Sequence, residues 1–403
     1  MKHKGVGIHC FAGGFTMGMK TVMPVVGQLE LHNFGGETCK VHKTKFMNAD
    51  TWRDWDAYKS EWEGCSFCYG NPRCTSFSSY SAGCVSTVRG PNAKPTRDIW
   101  DLCRFGIHAD FDLIAFESVQ QAYTVGRPLL DILRDDLFVP AGYRIAHLFV
   151  NTAAEGNAQK RRRYFFVAYR NNKNFNVMRP NLPEFRTTVG DVLGPLLGRK
   201  TVGGKLWGNN NPWTPDTYTE FNAQEKVMIP ILRQGESYHD VATKRLEEMK
   251  RVSPYHYDKY VYRLSEVPFS LHAPCRLKWN GHCPTIASSF GNNIHPTLDR
   301  PITALETAAL MGWPKNFVPV GAQPIAQIAK GVVPATGAWL GEQIKLYLND
   351  MWGDDDFSST YNHPTGQWVG QMHDDKPIEK VFRLTNYLPP FKESQDGKYK
   401  CIQ

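Results

Sequence analysis

The chain has 403 residues, 41% hydrophobic, 12% aromatic and 21% charged, and its 47 basic against 39 acidic side chains leave a net charge of +8. That composition excludes a disordered polymer, and no apolar run approaches the roughly 18 residues needed to span a bilayer. The mild basic excess fits a nucleic-acid partner without requiring one.

The length predicts two or three domains of roughly 100–200 residues each. The first eight residues run straight into a strand-like segment and lack the apolar stretch and cleavage site of a secretory signal. The ten cysteines are therefore expected as reduced thiols, metal ligands or a catalytic thiol in an intracellular protein.

In chain order, residues 6–11 read as a buried strand broken by Gly13 and Gly14, and residues 25–30 as a second strand ending in Glu30. Residues 112–117 repeat that pattern and close on Glu117, and residues 143–150 and 163–168 give two more strands. Strands at this spacing, with helical stretches between them, predict an α/β fold on a mostly parallel sheet, with ligands at the carboxyl ends of its strands. Residues 188–292 change texture, with frequent Gly, Pro, Asn and Trp and one helix predicted over 237–252, and read as a separate small domain. Helices are predicted again from near Thr303 and over 336–349, and residues after Met351 look like a polar, irregular tail.

Four groups of residues carry possible chemistry. Cys74 lies in a Gly/Pro-containing loop after an apolar stretch, where a thiol is exposed, and the adjacent Arg73 would favour its thiolate form. The competing reading is zinc, because Cys65 and Cys68 have ligand spacing and Cys84 is near, but no matching second pair follows. Glu117 at a strand end either faces a ligand or is a satisfied acid. Strand alternation puts Gln159, Arg161 and Arg163 on one side, a possible clamp for an anion or a base. The glycine loop at residues 11–18, followed by the strand-ending Glu30, follows the nucleoside-binding logic of a Rossmann-type fold.

Together and in this order, these pieces resemble the DNA cytosine-C5 methyltransferases. The loop from Phe11 through Gly13 and Gly14 is similar to that family's glycine turn, two residues shorter. The resemblance implies a Rossmann-like methyltransferase sheet with an inserted, smaller target-recognition domain. It makes Glu30 the acid on the ribose hydroxyls of S-adenosylmethionine, Asp50 the reader of the adenine amino group, and Leu31, Pro72 and Val332 further contacts to that donor. Cys74, followed by Phe77 and Ser78, matches the family nucleophile. Glu117-Ser118-Val119 resembles Glu-Asn-Val, and Gln159, Arg161 and Arg163 match Gln-x-Arg-x-Arg. Residues 300–314 and 327–334 resemble the last two family blocks, so the likeness runs from residue 8 to about 349. It divides the chain into a catalytic domain over 1–187, a target-recognition domain over 188–292, a returning catalytic part over 293–349 and a tail over 350–403.

The implied reaction is transfer to C5 of a cytosine flipped out of double-stranded DNA. Cys74 adds to C6, Glu117 engages N3 and the exocyclic amine, and Arg161 and Arg163 hold O2 or a phosphate and keep Cys74 placed. The enzyme is expected to be a cytoplasmic monomer of a bacterial or phage-infected cell, with no metal and no membrane partner. In the recognition segment, Lys200, Lys205, Arg233, Lys244, Arg245, Lys250 and Arg251 are candidates for phosphates, and Trp207, Trp213 or the asparagines for bases, each against the alternative of an ordinary surface or core residue.

Three departures from the family pattern stand out: the shortened glycine loop, Arg73 and Thr75 around the nucleophile where the family has Pro and Gln, and Lys330 for Asn in the final block. Lys330 either points to solvent or pairs with a nearby acid, or it is a buried or half-buried cation beside the transferring group, which suits a donor with an extra carboxylate. That donor, carboxy-S-adenosylmethionine, would give 5-carboxymethylcytosine instead of 5-methylcytosine, with Arg73 adding to the positive field. An RNA cytosine methyltransferase, or a DNA-binding relative that has lost catalysis, are the rival readings.

Overall fold

A computed structural model describes residues 3–30, 45–48, 55–77, 96–170, 175, 187–204, 213–266, 273–286, 292–319, 324–350, 361–362, 368–373, 391–393 and 399–401. Apolar runs four to eight residues long make its central sheet. These are β1 (Gly5–Ile8), β2 (Val25–Glu30), β3 (Lys45–Asn48), β4 (Phe67–Gly70), β5 (Leu113–Val119), β6 (Arg144–Asn151) and β7 (Arg162–Tyr169). Two short strands from the end of the chain, β8 (Tyr361–Asn362) and β9 (Trp368–His373), complete it. The strand order is β8-β9-β6-β7-β5-β4-β1-β2-β3.

β1 pairs in parallel with both β2 and β4, and β4 pairs in parallel with β5. β7 is inserted antiparallel between β5 and β6. The mostly parallel α/β sheet expected from the sequence is thus present, seven of its nine strands sharing one direction, with β7 and β9 reversed in a way that apolar runs alone do not reveal. The chain winds from β1 toward β3 on one side and resumes with β4 on the other. The switch point between β1 and β4 is where such sheets bind ligands.

Helices cover both faces. On one, α1 (Gly14–Lys20) and α9 (Pro334–Leu348) pack Phe15, Met19, Leu340 and Ile344 against β4 to β7. On the other, α2 (Arg97–His108) buries Ile99, Leu102 and Phe105 against Ile114 and Phe116. Tyr69 Oη on β4 donates to Thr16 Oγ1 on α1 at 2.8 Å, inside the protein.

The inserted segment has its own core, in which Phe221, Met228, Tyr238, Val241 and Met249 pack together. Its ends do not separate so cleanly. The short helix α3 (Val189–Leu193), with Leu277 and Ile286, shares a core with Leu305, Leu310, Trp313 and Ile328 of the returning part. The single helix expected over 237–252 is two, α4 (Tyr238–Lys244) and α5 (Leu246–Val252), broken at Arg245 with φ −141° and ψ 43°. Ser237 caps α4 in a capping box with Asp240. A third helix, α6 (Pro254–Glu266), follows where none was expected. In the returning part, Thr303 caps α7 (Ala304–Leu310) with Glu306, and α8 (Pro324–Lys330) precedes α9. The C-terminal stretch, expected to be irregular, contributes β9 antiparallel to β6.

Candidate active site

Strand ends assemble the candidate site. β4 stops at Gly70 and hands over to the loop Asn71-Pro72-Arg73-Cys74, while the adjacent β5 carries Glu117 one residue beyond the partner of Gly70. Because β7 runs antiparallel, its first turn lies beside the last of β5, with Arg163 opposite Val119. Arg163 is therefore a diagonal neighbour of Glu117, and its Nε reaches Glu117 Oε1 at 2.6 Å. Both side chains are removed from water, at 11% and 2% exposure.

Burial raises the Glu117 carboxyl above its ordinary range, and Arg163 and Arg161 only partly offset it. Burial, then the charge of Glu117, raises the Cys74 thiol, and Arg163 and Arg161 pull it down. A carboxyl raised by burial is a better proton donor to a ring nitrogen in the site, and a thiol beside two guanidinium groups can be released as thiolate. Arg73 does not perform the thiolate-stabilising role expected of it. Its Nε and Nη2 are engaged by Asp98 Oδ2 and Oδ1 at 2.6 and 2.8 Å.

The expected alternation across residues 159–163 is present: Gln159 and Arg161 are buried and Arg163 nearly so, while Lys160 and Arg162 are exposed. Arg161, however, spends its donors on backbone. Nη1 donates to the Ile286 carbonyl at 3.2 Å, and Nη2 to those of Gly331 and Lys330 at 3.2 and 3.5 Å. It ties β7 to the end of the inserted segment and to the turn before α9. Asn71, which reads as a turn residue in the sequence, donates from Nδ2 to the same Lys330 carbonyl at 3.2 Å.

The glycine loop supplies the other half of the cleft. Phe11 and His9 adopt left-handed backbone conformations at φ 52° and 54°, and Gly13 follows at 87°. A bulky residue in that region is uncommon and marks a constrained turn. A β-carbon on Gly14 would collide with the Val332 carbonyl, so the loop and residues 331–333 meet backbone to backbone. Phe11, Pro72 and Val332 are buried beside it. This close cradle at the sheet's switch point fits a nucleoside-type donor. Glu30 closes β2 as expected; Leu31 and Asp50 lie outside the described residues.

Of its two expected placements, Lys330 adopts the one with its side chain in solvent. It is the last residue of α8, where its carbonyl is drawn inward by Asn71 and Arg161 while its side chain is exposed. Cys68 is buried and Cys65 half-buried, and among the described residues no cluster of three or more His, Cys, Asp or Glu could hold a metal; Cys84 lies outside them. In the inserted segment, Lys244 is paired with Asp240, and Arg245 with Glu236 and Glu248. Lys200, Arg233, Lys250 and Arg251 are exposed, and Lys205 and Trp207 lie outside the described residues.

A doubly covered α/β sheet that gathers a thiol, a carboxyl and a guanidinium at its strand ends is an arrangement suited to group transfer. Residues 5–346 match the model of the C-5 cytosine-specific DNA methylases, and the chain belongs to that S-adenosylmethionine-dependent family. It is 22% identical over 258 residues to the type II methyltransferase M.DdeI of Desulfomicrobium norvegicum, a match covering 55% of this chain and 59% of that protein. The chain thus spans about three fifths of the length of this curated relative. Among solved structures, a protein described as a DNA modification methyltransferase encoded within an E. coli prophage superposes with a TM-score of 0.54 at 18% identity, covering 86% of this chain and 99% of that one. The Entamoeba histolytica methyltransferase EhMeth gives 0.52 at 12% identity, covering 88% and 100%. These two likenesses concern the fold.

Proposed function

We propose that the protein methylates C5 of a cytosine flipped out of double-stranded DNA, with Cys74 as nucleophile. The observation that carries this reading is the group of Cys74, Glu117 and Arg163 at neighbouring strand ends. The donor, held by Phe11, Gly13, Gly14, Glu30, Pro72 and Val332, supplies an electrophilic methyl group when bound. Leu31 and Asp50 complete that set by family resemblance.

The Cys74 thiol loses its proton and its sulfur bonds to C6, while Glu117 gives a proton to N3, so the ring's electrons collect at C5. Arg163 holds Glu117 in place and moderates the thiol. Once C5 is substituted, its proton leaves, the S–C6 bond breaks and N3 returns its proton to Glu117. A stacked base is out of reach of Cys74, which is why flipping is required. The chain divides as 1–187 and 293–349 for catalysis, 188–292 for target recognition and 350–403 as a C-terminal extension. It acts as a monomer in the cytoplasm of a bacterial or phage-infected cell. No helix among the described residues is long and apolar enough to cross a membrane.

A duplex carrying 5-fluorocytosine, incubated with protein and donor, tests the reaction. Wild type is expected to form a covalent complex and Cys74→Ser none. Capture on RNA alone would make the substrate RNA, and no capture at all would leave a binding protein.

A second reading rests on Lys330. Its side chain is exposed and has no acidic partner among the described residues, and its backbone carbonyl accepts from both Asn71 and Arg161. That ammonium is available to a donor carboxylate, so carboxy-S-adenosylmethionine and 5-carboxymethylcytosine form the alternative. Arg73, already paired with Asp98, drops out of that donor field. Mass spectrometry of nucleosides from DNA of expressing cells separates the products, and 5-methylcytosine alone removes this alternative.

A further inference from the structure

The residue before the nucleophile is arginine where the family resemblance calls for proline. Its guanidinium makes a two-pronged contact with Asp98, at 2.6 and 2.8 Å, across 25 residues of chain. Asp98 is 1% exposed and lies in the first turn of α2, a helix fixed in the core by Ile99, Leu102 and Phe105. A carboxylate so deeply buried is costly unless paired, and the planar fork of arginine meets it in one orientation. Burial pushes the Asp98 carboxyl up, yet its bonds to Arg73 and the charges of His9 and Arg73 outweigh that and hold it below the usual range.

The rest of the loop is also tied down. Asn71 N–H donates to the Ile8 carbonyl at 3.2 Å, Asn71 Nδ2 to that of Lys330, and Phe77 N–H to that of Cys74 at 3.0 Å. Among the described residues, the fastening between Asn71 and Cys74 runs to Asp98 alone: Arg73 N–H donates to Asp98 Oδ2 at 3.5 Å, and the Arg73 side chain adds the two-pronged contact.

We propose that the Arg73–Asp98 pair is a clamp that positions Cys74, doing by side-chain geometry what a proline ring does by fixing the backbone. Arg73 is a positioning residue and Asp98 its anchor on α2. The charges acting most on the Cys74 thiol are those of Glu117, Arg163 and Arg161, so the clamp works through placement and not through the thiol's acidity. The inference rests on the reading of Cys74 as nucleophile for its catalytic consequence.

Two measurements test it. One is the rate of Cys74 alkylation by iodoacetamide in the free protein, followed by peptide mass spectrometry over a range of pH. The other is the rate of covalent capture on the 5-fluorocytosine duplex. Arg73→Ala and Asp98→Asn are expected to change alkylation by about threefold or more at fixed pH, leave its pH midpoint in place, and slow capture by roughly tenfold without weakening duplex binding. Arg73→Lys keeps the buried carboxylate paired, and so preserves folding, but loses the fork; it should be as slow in capture as Arg73→Ala.

Wild-type rates in all three variants would overturn the clamp. So would full capture by Arg73→Lys, a displaced alkylation midpoint, or a capture loss matched by lost duplex affinity, which would make Arg73 a phosphate-binding residue. Alkylation needs neither duplex nor donor. A wild type that alkylates as expected but never captures would therefore sink the proposed reaction and leave the clamp standing.

Discussion

At the scale of single residues, the Cys74 thiol feels the charges of both Glu117 and Arg163, and the Glu117 carboxyl that of Arg163. The Glu117 charge raises the Cys74 thiol, so Glu117→Gln is expected to move Cys74 alkylation to lower pH while cutting turnover by about a hundredfold or more. An unchanged alkylation profile would contradict that coupling. A second group titrates nearby: burial, helped by the charge of Asp98, pushes the Asp101 carboxyl on α2 up to about 7. An acid raised on folding takes up protons in the native state, so stability falls as pH rises from the ordinary carboxyl range through about 7. Asp101→Asn should flatten that slope and add about 2 kcal/mol at pH 8, read by urea unfolding. Cys74 and Glu117 were legible in the sequence because strand ends and loop punctuation mark them. The employment of Arg73 was not, since its partner lies 25 residues away on a helix whose pattern gives no sign of it. The exposure of the Lys330 side chain was open for a related reason: the sequence places the residue but not which of its atoms turns inward.

At the scale of elements, the closest packing is between α1 and α9. A β-carbon on Gly18 would run into the Pro334 carbonyl and lie 2.6 Å from the Ala338 nitrogen, and one on Gly337 would lie 2.8 Å from the Phe15 carbonyl. The two helices thus touch along glycines, and α1 carries the glycine loop at its start. Gly18→Ala is expected to cost about 1–3 kcal/mol in denaturant unfolding and to weaken donor binding by pushing that loop off residues 331–333. Five of the sheet's nine strands, β1, β2, β5, β6 and β7, were readable as apolar runs, and the helices expected from about Ser237 and Thr303 begin there, each in a capping box. The break at Arg245 was not readable. There the side chain leaves the helix path for the Ile231 carbonyl, Glu236 and Glu248, a tertiary pull that outweighs a continuous helical pattern. The reversed direction of β7 was equally hidden, because an apolar run has no arrow, yet it is this reversal that delivers Arg163 to Glu117.

At the scale of the whole molecule, the candidate phosphate contacts of the insert divide in two: Lys244 and Arg245 are paired to carboxylates, while Lys200, Arg233, Lys250 and Arg251 are exposed. Neutralising Lys250 and Arg251 together should reduce the log–log salt slope of duplex affinity by about 1.8, at about 0.9 for each phosphate that then keeps its counterion. A slope that stays put would move the interface elsewhere. The division of the chain followed its change of texture, but the ends of the inserted segment share a core with the returning part. Composition cannot show which side of a boundary a buried leucine faces. Arg161 makes that boundary a matter of protein engineering as well. One guanidinium grips the Ile286 carbonyl near the exit of the insert and the Gly331 carbonyl beside the donor cradle. Recognition segments borrowed from relatives would therefore not plug in freely: a grafted cassette would have to present a carbonyl where Ile286 now does, or the transplant would loosen the cradle while changing the target.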